Sequence, residues 1–259
     1  MLYAKAMGMI SRRNFLGLAA LAVPATITAD ALWDTHALRV HHLEFPLGLG
    51  LRLAHFSDLH FKGDAAYAGK LVDTINELGP DLVCFTGDLI EQKKFAPAAL
   101  DFIRQIKSPV FGNPGNHDYS SGASFADFAR AFASTGGAWL VDRSLVFEEP
   151  SLELVGIGRL SHVTDFTSRA PTRIVLAHFP VVADGLRGFR FNLILAGHSH
   201  GGQVRVPFLG PIALPHGTGN YDLGWFETSG GPLYVNPGIG TYRIPIRWNC
   251  RPEVTLFRL

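Results

Sequence analysis

The chain has 259 residues, of which 47% are hydrophobic and 17% charged, with a formal net charge of +1. That length and apolar content suit one large globular domain, or two small ones, with a sizeable core. Near neutrality, without any run of lysines or arginines, disfavours a nucleic-acid partner.

At the amino terminus, Ser11-Arg12-Arg13-Asn14-Phe15-Leu16 sets two adjacent arginines before the apolar run Leu16 to Ile27. This run is too short and too rich in alanine and glycine for a membrane span. Residues 1–31 read as a twin-arginine export signal, the alternative being a basic leader on a cytosolic protein. Ala29-Asp30-Ala31 offers a cleavage site, and an uncleaved signal would associate the protein with the membrane. The expected partner is the twin-arginine translocation machinery, and the expected location the periplasm or the outer face of the cytoplasmic membrane. Residues 32–50 read as a lead-in and 51–259 as the folded domain.

From Leu51 onward strands and helices alternate. Leu51–Phe56 reads as a strand, Ala65–Leu78 as a helix and Asp81–Thr86 as a nearly all-apolar buried strand, a β-α-β signal. A second helix over Ala96–Ile106 leads to a strand at Val110, a loop over Gly112–Asp118 and a third helix over Phe125–Ala133. Strands are then predicted at Ala138–Asp142, Leu145–Glu148, Leu152–Val155, Arg173–Ala177, Leu193–Ala196 and Gln203–Val206, with closing strands at Leu233–Asn236 and Glu253–Leu259. Between Gly201 and Tyr221 the chain is rich in glycine and proline yet carries Val206, Phe208, Leu209, Ile212 and Leu214. Such an apolar loop is either a wall of a substrate pocket or a cover over one end of the core. Cys84 and Cys250 lack zinc-knuckle spacing and read as buried thiols, with a disulfide left open for an exported chain.

Polar residues collect where the strands end. Asp58-Leu59-His60 follows the first strand, Gly87-Asp88-Leu89-Ile90-Glu91 the second and Gly115-Asn116-His117-Asp118 the third; His178 follows Ile174–Ala177, and His198-Ser199-His200 follows Leu193–Ala196. In open α/β sheets such clusters converge outside the carboxyl ends of the strands. Taken singly, Asp88 reads equally as a cap, Asn116 as a turn residue and His178 as a core histidine; at five strand ends together they read as one site. Its oxygen and nitrogen donors, with no thiolate, suit Mn²⁺, Fe, Zn²⁺ or a pair of these.

The ordered set Asp-x-His, Gly-Asp-x-x-Glu, Gly-Asn-His-Asp, His and Gly-His-x-His resembles the calcineurin-like metallophosphoesterase family, and more closely its exported bacterial members with twin-arginine signals. The likeness runs from about Leu51 to the carboxyl terminus and includes Tyr234-Val235-Asn236-Pro237-Gly238-Ile239-Gly240. It implies an α/β (α+β) fold, a four-layer sandwich of two mixed β-sheets flanked by helices, with a dimetal site at the strand carboxyl ends. Carried over, Asp58, His60 and His200 would hold one divalent ion, Asn116, His178 and His198 the other, and Asp88 would bridge them. His117 would serve as acid for the leaving group and Glu91 would orient it, at a place where relatives often carry aspartate.

The implied activity is hydrolysis of phosphodiesters or phosphomonoesters by in-line attack of a metal-bridging hydroxide. A lipid-linked or cell-envelope substrate would suit the apolar loop. A metal-dependent envelope binding protein without turnover is the alternative. A metallo-β-lactamase-like hydrolase would need a His-x-His-x-Asp-His run, which is absent. Arg159, Arg243 and Arg247 are candidates to grip a second phosphate or to form surface ion pairs.

Overall fold

The computed structural model describes residues 30–158 and 167–259. The leader as far as residue 29, together with Arg159 and His162, lies outside the described residues. A helical segment over 30–36 leads into β1 (Arg39–Glu44) and β2 (Arg52–Phe56), followed by α1 (Ala65–Leu78), β3 (Leu82–Thr86), α2 (Ala96–Arg104) and β4 (Val110–Asn113). Next come α3 (Asn116–Ser120), α4 (Phe125–Ser134), β5 (Ala138–Trp139), β6 (Arg143–Phe147), β7 (Leu152–Ile157) and β8 (Thr172–Ala177). The chain continues through α5 (Val182–Gly185), β9 (Leu193–Ala196), β10 (Arg205–Val206), β11 (Gly210–Pro211), β12 (Gly224–Thr228), β13 (Gly231–Val235) and β14 (Glu253–Arg258).

Local chemistry sets the helix ends. The Asp64 side chain accepts from the Tyr67 N–H to open α1, and Gly79, in the left-handed region at φ 53°, closes it by donating to the Ile75 carbonyl. Between these caps Ala68, Leu71, Val72 and Ile75 fall on one buried face.

Period-2 alternation sorts the strand side chains between cores. Leu53 of β2, Leu82 and Cys84 of β3, Leu154 of β7, Leu176 of β8 and Leu195 of β9 meet between the two sheets. Ala54, Phe56, Val83 and Phe85 point instead to the helices α1, α2 and α4. On the far side of the second sheet Val155, Val175, Ile194 and Val235 pack under α5 and its flanking loop. Strands buried on both faces read as unbroken apolar runs, which is why β3, β8 and β9 are plain in the sequence.

The result is a sandwich of two mixed six-stranded sheets flanked by helices. The first has strand order β1-β14-β2-β3-β4-β5 and the second β12-β13-β9-β8-β7-β6. Residues 32–50, read from sequence as a lead-in, contribute β1 to the first sheet, paired in parallel with β14 from Arg39↔Glu253 to Glu44↔Arg258. β1 and β12 are edge strands whose composition is polar or mixed because one rim meets water, so neither stands out by its apolar pattern. Cys84 and Cys250 are both free and buried, which closes the disulfide alternative.

Candidate metal centre

β2, β3 and β4 run parallel in the first sheet and β8 and β9 run parallel in the second, so the turns after all five approach one edge of the sandwich. These turns are sharp. Asp58, His60, Asp88, His198 and His200 all hold positive φ, between 45° and 66°. For a residue bearing a Cβ this costs roughly 1–2 kcal/mol, and such strain persists where surrounding structure enforces it. The backbone also comes close: a Cβ on Gly197 would stand 2.3 Å from Asp58 Oδ2, and one on Gly115 would stand 2.1 Å from Asp88 Oδ1.

The side chains converge in two halves. In one, Nε2 of His60 and Nε2 of His200 are 3.0 Å apart, with Asp58 Oδ1 at 3.8 Å from the first and 3.5 Å from the second. In the other, His178 Nε2 lies 3.2 Å from His198 Nδ1 and 3.1 Å from Asn116 Oδ1. Asp88 Oδ2 stands between them, 3.5 Å from His60 Nε2 and 3.2 Å from His178 Nε2.

This arrangement fits divalent cations. Asp58 Oδ1 is buried without a hydrogen-bond partner, and imidazole nitrogens aimed at one another beside carboxylates are the donor set a shared cation takes. Asp58, His60 and His200 form one metal-capable group, and Asp88, His178 and His198 another.

A surrounding layer fixes each ring. His178 Nδ1 donates to the Thr86 carbonyl at 2.8 Å, which leaves Nε2 to face the site. His198 Nε2 donates to the His216 carbonyl at 2.7 Å, which leaves Nδ1 instead. Glu91 touches two rings: Oε1 lies 2.6 Å from His60 Nδ1, and Oε2 lies 3.1 Å from His117 Nδ1. Asp118 accepts from the N–H groups of Asp88, Leu89 and Gly115 and so holds the β3 turn against the β4 turn. The sequence reading missed this role of Asp118, and its signal was the carboxylate three residues after Gly115 at a helix start.

Electrostatically the cluster balances its carboxylates with protons on imidazoles. Burial opposes charge on His60, but Asp58, Glu91 and Asp88 outweigh it and raise its pKa to about 10. His178 is likewise carried up to about 9 by Asp88 against its burial. Burial and the neighbouring His178 push His198 down to about 4, and burial takes His200 well below its ordinary value. A cation in either half therefore competes with a proton on His60 or His178, so affinity should rise with pH up to about 9–10. Calorimetric titration of metal in buffers of different ionisation enthalpy is expected to show net proton release at pH 7; no release would contradict this charge balance.

The site opens into a cavity of about 620 Å³ lined by His117, Tyr242, Arg243, Ile244, Leu214 and Pro215 among others. Tyr242 stacks over His60 and stands edge-on to His117. Of the apolar loop, Ala213 to His216 form wall, while Phe208, Leu209 and Ile212 stay exposed. His216 contributes its carbonyl, which holds His198 Nε2. Arg247 is fully buried, donates to the carbonyls of Pro237, Gly240 and Cys250, and lies 3.4 Å from His200 Nδ1; it cannot reach a phosphate. Arg243 lines the cavity.

The sequence profile described as calcineurin-like phosphoesterase matches residues 51–202. The metallophosphoesterase YkuE of Bacillus subtilis is 31% identical over 96% of this chain and 98% of its own length. The phosphodiesterase YaeI of Escherichia coli is 31% identical over 97% of this chain and 100% of its own. The UDP-2,3-diacylglucosamine pyrophosphatase LpxG of Chlamydia trachomatis is 27% identical over 81% of this chain and 83% of its own. With the family's residue clusters gathered at one sandwich edge, the chain belongs to the calcineurin-like, dimetal-dependent metallophosphoesterases and is a hydrolase of phosphoric esters.

Proposed function

We propose that the protein hydrolyses phosphodiesters or phosphomonoesters at the cell envelope. It would arrive there by the twin-arginine route and work in the periplasm or at the outer face of the cytoplasmic membrane. The observation that carries the chemistry is the position of Asp88 Oδ2 between the two halves. Asp58, His60 and His200 would hold one cation and Asn116, His178 and His198 the other, with Asp88 shared; Mn²⁺, Fe and Zn²⁺ all suit these donors. When bound, the pair supplies a water of lowered pKa and positive charge for the phosphoryl oxygens.

The chain's own groups do the rest. Glu91 holds His117 Nδ1, which leaves the opposite ring nitrogen free; in the protonated ring that nitrogen would give its proton to the departing oxygen while water replaces it in line. Tyr242 walls one side against solvent. The names of YaeI and LpxG support a diester or a lipid-linked phosphoanhydride as substrate class. Leu214, Pro215 and Ile244 at the cavity support an apolar substituent beside the phosphate. Exhaustive chelation is expected to abolish hydrolysis of an aryl phosphodiester and Mn²⁺ to restore it. Full activity in a metal-free sample would overturn the reading.

A further inference from the structure

The hairpin formed by β10 and β11 carries Pro207-Phe208-Leu209 at its tip, and nothing among the described residues covers it. Phe208 is 108% exposed, Leu209 83% and Ile212 69%. Leu214 and Ile244 are also exposed and line the cavity, so apolar surface runs from the tip to the cavity mouth. Contiguous exposed apolar surface of this kind marks an interaction site.

The helical segment over 30–36 is tied to the same edge. Asp34 accepts from the Asn249 N–H and pairs with Arg251, the Asn249 side chain donates to the Arg205 carbonyl, and the Arg205 N–H donates to the Trp248 carbonyl. That segment exposes Leu32 and Trp33, and it directly follows the apolar run Leu16–Ile27. Charge points the same way at the mouth: Arg243 is exposed, lines the cavity and forms no ion pair among the described residues, whereas Arg205 and Arg251 are paired with Asp222 and Asp34 and Arg247 is buried.

We propose that the β10–β11 tip, with Leu32 and Trp33, seats this protein on an anionic phospholipid bilayer, the cavity mouth turned towards the headgroups. Apolar side chains enter the interface while Arg243 meets the lipid phosphates. The 30–36 segment and the tip then form two membrane contacts on one edge, and an ester with an acyl tail reaches the cavity without leaving the bilayer. This rests on the envelope reading above, yet it makes a separate claim about orientation.

The test uses the full chain. Because Cys84 and Cys250 are buried, Leu209→Cys presents one accessible thiol for an environment-sensitive fluorophore. Arg130→Cys on α4 provides the control. With vesicles of phosphatidylglycerol and phosphatidylcholine, the probe at 209 is expected to shift to the blue and brighten several-fold, the probe at 130 to remain aqueous, and Phe208→Ser with Ile212→Ser to remove the response. An unshifted 209 probe on vesicle-bound protein would leave the leader as the sole anchor and overturn the proposal. So would a shift without vesicles, which would mean that the leader or a second copy covers the tip, or an equal shift at both positions. Hydrolysis of a soluble aryl phosphodiester, measured on the same samples, is expected to persist in every variant, because Phe208, Leu209 and Ile212 do not line the cavity; its absence in the parent chain would instead count against the hydrolase reading.

Discussion

Asp88→Asn is expected to lower turnover of an aryl phosphodiester about 10³-fold, a loss of roughly 4 kcal/mol in transition-state stabilisation, and to reduce bound metal to about one ion per chain. The two oxygens of Asp88 have separate duties. Oδ1 accepts the His117 backbone N–H at 2.7 Å, and Oδ2 faces both halves of the site. An asparagine keeps the first contact with its carbonyl and so places its NH₂ group at the second position, where a donor repels a cation. The backbone should not object, since Asp88 sits at φ 59° and asparagine is among the few residues that tolerate this region. Circular dichroism and melting temperature should therefore stay close to the parent while metal analysis and turnover fall. Two ions per chain with near-parental turnover would remove Asp88 from its shared position.

The ease of reading this chain differed by layer. Helix α1 was legible end to end because both of its caps, Asp64 and Gly79, are encoded locally. The doubly buried strands were legible because no water-facing side interrupts them. The edge strand β1 was not, since Arg39-Val40-His41-His42-Leu43-Glu44 carries charge at both ends and gains its place only by pairing with β14, more than 200 residues away.

Within the site, residues at strand ends could be listed from sequence, but their roles depend on contacts between the turns. Asp118 looks like one more turn carboxylate; in the fold, burial and the adjacent Asp88 raise its pKa to about 7 while three backbone N–H groups bind it. Arg247 looks like a surface cation and proves to be a buried brace behind His200. In both cases most partners are backbone groups, which leave no trace in side-chain pattern.

His117→Ala is expected to lower turnover on an alkyl phosphodiester by about 10²–10⁴-fold, with both metals retained. On a 4-nitrophenyl ester the loss should shrink towards tenfold, because a nitrophenolate departs without needing a proton. Glu91→Gln separates orientation from proton donation. Burial raises the Glu91 pKa, but His117 and His60 outweigh it and hold the carboxyl well below its usual range. Its replacement removes the carboxylate charge beside both His117 Nδ1 and His60 Nδ1. Glu91→Gln should therefore cost about 10–100-fold in metal affinity as well as turnover, whereas His117→Ala leaves metal affinity alone. If His117→Ala lost the same factor on both leaving groups, its ring would be holding the substrate rather than protonating what leaves, and the acid would have to be sought elsewhere along the cavity.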